Sequence, residues 1–208
     1  MPVEALQYPV NLVLEGRRCL VVGGGPIAIR KVRGLLACGA EVHVIAPAVE
    51  AELAALPVTI DRRPYQEGDV AGFWLAVAAT NDHDVNAAVY RDGERLHVWV
   101  NSADDPMSCS YTLPSVVRRG PITVAVSTGG HSPALATWLK ARIEADLGPE
   151  YEVLVELLSA EREALKAAGR STEGLAWQKA LASDMLTLIR AGQVQEARER
   201  LQACLSSS

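Results

Sequence analysis

Arg18-Cys19-Leu20-Val21-Val22-Gly23-Gly24-Gly25-Pro26-Ile27-Ala28 is the stretch on which the reading of this chain turns. Five residues of strand character run straight into three glycines, and a helical pattern begins directly after them. Ala28, Val32, Leu35 and Leu36 repeat at helical spacing and make one apolar face. The glycine segment matches G-x-G-x-x-G/A, with Ala28 in the last place. Each small residue has a physical task. Gly23 lets the chain turn sharply out of the strand, and Gly25 leaves room for backbone to approach a pyrophosphate. Ala28 lets the helix pack closely on the strand. The helix start then offers unpaired N–H groups and the positive end of its dipole. Pro26 costs little there, because its missing N–H would have no partner inside the helix. Strand, glycine loop and helix together predict a Rossmann-type dinucleotide site, with Gly23, Gly24, Gly25, Pro26 and Ile27 against the cofactor.

Working outward, Cys38-Gly39-Ala40 ends the first helix, with Gly39 suited to a left-handed cap. Glu41–Ala46 reads as a second strand, closed by Pro47. A short helix over Val49–Leu56, a strand over Val58–Arg62 and an apolar strand over Trp74–Ala79 follow. A helix over Asp84–Arg91 and a strand over His97–Val100 complete the alternation, which marks a parallel sheet covered on both faces. The second strand lacks the acid that commonly holds the ribose hydroxyls, since no carboxylate occurs before Glu50. No basic residue stands there for a 2′-phosphate either. NAD is therefore the expected cofactor, its adenosine held by backbone around Ala46, Pro47 and Ala48. Thr80 and Asn81, at the end of the apolar strand, are further expected contacts.

After Asn101 the character changes. Strands are expected over Tyr111–Val117 and Ile122–Ser127, then a glycine-containing turn, Thr128-Gly129-Gly130-His131-Ser132-Pro133. A helix over residues 134–147 carries Leu135, Leu139, Ile143 and Leu147 at steps of four. Beyond Gly148-Pro149 three short helices are expected. Their stripes are Tyr151/Leu154/Val155/Leu158, Trp177/Leu181/Met185/Leu188 and Val194/Ala197/Leu201/Cys204.

Composition narrows the classes. The 208 residues are 49% hydrophobic but only 5% aromatic, so the core must be aliphatic. A net charge of −5 argues against a nucleic-acid partner, whose phosphates demand cations. No apolar run approaches the ~20 residues of a membrane span, and Met1-Pro2-Val3-Glu4 lacks the start of a signal peptide. A cytoplasmic protein is expected. Four scattered cysteines form no metal-ligand spacing, so no residue is assigned to a metal.

Several segments, in order, resemble the precorrin-2 dehydrogenases of sirohaem synthesis, including the N-terminal module of sirohaem synthase. They are Gly23–Lys31, Ala78–Asp82, Val85-Asn86, Asn101–Pro106, Leu113–Ser115 and Val124–Pro133. The resemblance implies an α/β homodimer of three parts: an NAD-binding Rossmann domain (1–112), a mixed α/β dimerisation region (113–148) and a helical C-terminal domain (149–208). It implies NAD-dependent oxidation of precorrin-2 to sirohydrochlorin. Some members also act as ferrochelatase, inserting ferrous iron.

By pattern alone Asp104-Asp105-Pro106 is an ordinary turn with solvated acids. The resemblance makes Asp104 the key acid, as general base, although orienting metal or substrate would also suit a carboxylate. Asp105 replaces the family's usual small residue and competes for the role. Asn101 is expected to fix that loop and face the substrate. Ser127, Thr128, Gly129 and His131 would supply donors to a substrate with eight carboxylates; capping of the turn is the alternative for Ser127 and Thr128, and for His131 either a metal-passing role or a plain surface position. Arg118, Arg119, Lys140 and Arg142 are candidate cations. His83 is less compelling, and His97 is expected in a strand as a structural residue. A chain ending at Ser208 leaves no expected room for a methyltransferase module. A nucleotide-sensing module with a helical dimerisation tail would explain the glycine loop and the helices, but neither Asp104 nor the Ser127–Pro133 turn.

Overall fold

The computed structural model describes residues 6–103 and 105–206. They divide into two compact units. One runs to Leu113 and takes in Gly129–His131; the other holds Pro114–Thr128 and everything from Ser132 on.

In the first unit, strands β1 (Arg18–Val22), β2 (Glu41–Ile45), β3 (Thr59–Asp61), β4 (Leu75–Ala78) and β5 (Trp99–Ser102) form one parallel sheet in the order β3-β2-β1-β4-β5. Helices α1 (Pro26–Leu36), α2 (Ala51–Ala54) and α3 (His83–Leu96) lie in the crossovers β1–β2, β2–β3 and β4–β5, and the β3–β4 crossover is a loop of turns. Side-chain alternation splits the core into two layers. Cys19, Val21, Val42, Val44 and Val77 pack with Ala28, Val32 and Leu53 on one face of the sheet. Leu20, Val22, Ile45, Ala76 and Val100 pack with Val70, Phe73 and Val89 on the other. Chain order reverses between β1 and β4, and at such a switch point the strand ends part to leave a crevice.

Polar networks hold the connections. The buried Asp92 carboxylate accepts from Tyr65 Oη (2.5 Å), Gly68 N–H (2.6 Å) and Arg95 Nη2 (2.6 Å), tying the β3–β4 connection to α3. Gly39, at φ +74°, ends α1 in the left-handed cap its sequence predicts. Helix α3 is longer than the pattern suggests and displaces His97 from the expected strand. His97 is its C-cap at φ +56°, and β5 begins only at Trp99. The reason is Gly93, which lets the helix pass against Val100 and accepts the Val98 amide at 2.9 Å.

The second unit starts with the antiparallel hairpin β6 (Ser115–Arg119) and β7 (Ile122–Val126), so residues 111–114 of the first expected strand are not strand. Helix α4 (Pro133–Asp146) follows. Arg119 Nε donates to Leu147 O at 2.7 Å and Nη2 to Glu144 O at 3.4 Å, closing the C-terminal end of α4. Four helices, not three, make the tail: α5 (Glu150–Ala167), α6 (Trp177–Leu181), α7 (Met185–Arg190) and α8 (Val194–Ser206). The second expected helix is broken between Leu181 and Met185, where the Ser183 hydroxyl bonds back to Ala180 O at 2.6 Å. That break turns Leu181 outward, and Ala180, Met185 and Ile189 join Leu154, Leu157 and Leu201 in the core instead. No described helix is long and apolar enough to cross a membrane.

Candidate functional site

The three glycines after β1 are small for different reasons. Gly23 sits at φ +130°, and a Cβ there would strike the carbonyl of Ala79 at the end of β4. Gly24 lies under the loop after β2: a Cβ would meet Ala48 O and stand 2.9 Å from Val49 Cα. Glu50 N–H also donates to Gly24 O at 3.0 Å. Both glycines are demanded by the protein itself. Gly25 is not. Its φ of −94° suits any residue, and a Cβ would meet nothing within 4 Å. It is the N-cap of α1 and makes no side-chain cap, so the first N–H groups of that helix lack side-chain acceptors. A glycine free of protein neighbours, at a helix start on the switch point, is a cradle that a Cβ would fill. The fit to a pyrophosphate is good.

Around it, Pro26 and Ile27 are exposed, as are Pro47, Ala48 and Asn81, whereas Ala46 is buried and presents only backbone. Thr80 is largely spent within the fold. Its Oγ1 donates to Asn86 Oδ1 at 2.8 Å, and Asn86 Nδ2 returns a bond to Thr80 O at 3.1 Å. Asp82 then caps α3 through the amides of Asp84 and Val85. Buried Asn86 therefore shapes the β4–α3 turn. Its sequence signal is a polar residue at helical spacing from Val89 and Gly93, on the buried side of α3.

At the end of β5 the chain leaves the sheet and returns. Asn101 bridges to Cys109 across the base of this excursion, and Ser110 Oγ bonds Val100 N at 2.7 Å. The Cys109 thiol accepts from Ser102 N at 3.2 Å and donates towards Asp105 O at 3.3 Å; burial pushes its pKa up. Asp104 lies outside the described residues. Asp105 has a structural post. Its carboxylate accepts from the Ser108 hydroxyl (2.6 Å) and Met107 N–H (2.9 Å), which caps the 3-10 turn Pro106–Ser108 and holds the carboxyl below its ordinary value. Asn101 is buried, with Nδ2 on Tyr111 O at 3.0 Å and Oδ1 accepting from Lys31 Nζ at 3.3 Å. Lys31 was passed over by the reading from sequence. Its signal was a charge at i+3 from Ala28, inside the apolar stripe of α1.

In the second unit Ser132 caps α4 through Leu135 N–H, and Thr128 Oγ1 accepts from Ser132 N at 3.1 Å. Gly129 and Gly130 both have positive φ. Ser127 and His131 are exposed. Of the candidate cations, Arg119 is used on α4, Lys140 pairs with Glu144 at 3.7 Å, and Arg142 stacks on Trp138 at 4.9 Å. Among the described residues no group of three or more His, Cys, Asp or Glu could hold a metal ion.

Residues 10–115 match the family NAD_binding_7, "Putative NAD(P)-binding", and residues 119–146 match the central region of sirohaem biosynthesis proteins. SirC, precorrin-2 dehydrogenase, has a solved structure that superposes with a TM-score of 0.71 at 30% identity, covering 95% of this chain and 98% of that one. This chain belongs to the SirC family. Siroheme synthases of Nitrosococcus oceani and Nitrosomonas europaea are 39% and 37% identical over 207 residues. Those alignments cover 96% of this chain but 44% of each relative. The shared segment thus corresponds to less than half of the curated relatives and to essentially all of SirC.

Proposed function

We propose that this SirC-family chain oxidises precorrin-2 to sirohydrochlorin with NAD. The observation that carries the reading is Gly25, whose missing side chain has no purpose within the protein and suits a bound pyrophosphate. NAD, when bound, supplies the acceptor for the hydride that the tetrapyrrole gives up. Gly23, Gly24, Gly25, Pro26 and Ile27 would hold its phosphates, backbone at Ala46–Ala48 its adenosine, and Thr80 and Asn81 the far wall.

A proton must also leave the substrate, and Asp104 is the proposed base. Asp105 is a poor rival, because both its oxygens are engaged and the proton-free form is the one those donors favour. Asn101 would present the loop. Ser127, Thr128, Gly129 and His131 would give hydrogen bonds to substrate carboxylates. Residues 113–148 are the proposed dimerisation region of a cytoplasmic homodimer. Within it α4 fully buries only Ala136 and leaves Leu135 and Trp138 46% and 54% exposed, an apolar surface suited to a second copy. Insertion of ferrous iron into sirohydrochlorin, with loss of two pyrrolic protons, is proposed as a second activity.

The test supplies precorrin-2 and NAD anaerobically and follows NADH absorbance. Wild type should form one NADH per sirohydrochlorin, and Asp104→Asn should bind NAD normally but turn over at about 1% or less of that rate. Absence of NADH with wild type overturns the proposal. Adding ferrous iron to the product decides the second activity.

A further inference from the structure

Helix α1 has a second task besides offering its start to a cofactor. Lys31, in its second turn, is half-buried, and burial, with Arg30 beside it, lowers its pKa. An ammonium on a four-carbon stem gives up rotamer freedom and hydration when it is held inside. Such a cost is kept only where the charge has work to do. Its partner is the Asn101 side chain. Asn101 Nδ2 already donates to Tyr111 O at 3.0 Å and approaches Cys109 Sγ at 3.5 Å. The amide therefore has one sense. Reversed, it would set its NH2 group against the ammonium and its carbonyl against the Tyr111 carbonyl. Lys31 fixes that sense from one side and Tyr111 from the other.

Asn101 is also where the excursion closes. It bridges to Cys109, and Cys109 Sγ bonds Ser102 N and, at 3.3 Å, Asp105 O. A continuous chain of bonds thus runs from α1, through Lys31 and Asn101, to Cys109, Ser102 and the Asp105 carbonyl. Among the described residues the titratable groups facing Lys31 are Arg30 on its own helix and Cys109 across from it. Cys109 is itself held as a neutral thiol by burial. Among the described residues Lys31 donates to a neutral amide, the Asn101 Oδ1.

We propose that Lys31 is a positioning residue that locks the Asp105–Cys109 turn to the cofactor-binding helix through Asn101. As a role within the reaction it rests on the oxidation proposed above; as a mechanical link it does not. An arginine could make the same bond from a longer stem, whereas methionine keeps the apolar stem and loses the donor.

Two readouts separate the link from the reaction. The first is amide hydrogen exchange of the full chain, compared for wild type, Lys31→Met, Lys31→Arg, Asn101→Leu and the Lys31→Met/Asn101→Leu double variant. The expectation is that peptides covering 103–110 exchange about tenfold faster in each loss variant, and no faster in the double than in the single variants, while β1–β4 peptides are unchanged. Lys31→Arg should stay within about threefold of wild type. The second is steady-state NADH formation, where Lys31→Met should lose about tenfold in kcat with KM for NAD within about twofold. Unchanged exchange at 103–110, or additive effects in the double variant, overturns the link whatever the activity shows. Faster exchange with unaltered kcat in an active enzyme overturns the catalytic part alone. Should wild type form no NADH, the oxidation falls and the exchange result still decides the link.

Discussion

Replacing Gly25 with alanine should separate binding from folding. At φ −94° and ψ −169° alanine is unstrained, and its Cβ would point into space empty of protein within 4 Å. The folded state therefore loses nothing, and the unfolded chain loses freedom, so the variant should be more stable by about 0.4–1 kcal/mol. For a chain of this size that is a rise in Tm of roughly 1–4 °C. Cofactor binding should move the other way. A methyl group in the path of the pyrophosphate removes at least one charge-assisted hydrogen bond, about 1.5–3 kcal/mol, which is about 10- to 150-fold in Kd. Calorimetry gives Tm, and titration of NADH fluorescence gives Kd. Gly23→Ala is the control: its Cβ strikes Ala79 O at φ +130°, so it should fall in Tm as well as in affinity. Gly25→Ala that binds NADH within twofold of wild type would refute the assignment of the loop. A marked drop in its Tm would show that Gly25 has a structural duty after all.

Other expectations follow from the same geometry. Asp92→Asn should cost about 1–3 kcal/mol at neutral pH, because a buried triple acceptor loses its charge. Burial alone would raise the Asp92 carboxyl, but the bonds from Tyr65, Gly68 and Arg95 outweigh it and hold the folded value below the ordinary one. Its contribution is thus complete above the unfolded carboxyl pKa, about 4, and is lost as pH falls through the folded value. Urea melts of both proteins across that range should show the gap closing on acidification. Arg119→Met should loosen the end of α4 and speed exchange at Glu144 to Leu147, leaving the sheet of the first unit unaffected. Leu201→Ala, at a fully buried point of the helical tail, should cost about 2.7–5 kcal/mol in chemical denaturation. Conversion of Leu135 and Trp138 together to serine should shift a homodimer to monomer in sedimentation, with both units still folded.

Much of this protein was determined locally. A glycine loop between an apolar run and a helical stripe is decided by short-range physics, and so are the parallel crossovers that follow it. The left-handed cap at Gly39 stands where that pattern places it, while the order of the strands and the switch point are seen only in the folded sheet. Spacing could not tell why each glycine is small: Gly23 and Gly24 answer to Ala79 and Ala48, which follow other strands, and only their approach leaves Gly25 as the one reserved for a ligand. The same holds for the acids. Asp105 is indistinguishable from its neighbour as a residue type, and it is occupied only because the chain turns back and brings Ser108 to it. His97 belongs to a helix cap and not a strand because Gly93 admits Val100, a contact made only after β5 docks. Lys31 stands out in the sequence only as a charge in an apolar stripe, and its partner, Asn101 at 3.3 Å, is supplied by the folded chain. Backbone preferences act over a few residues and are written in the chain. The partners of polar side chains are chosen by which distant segments the packed core brings within 3 Å.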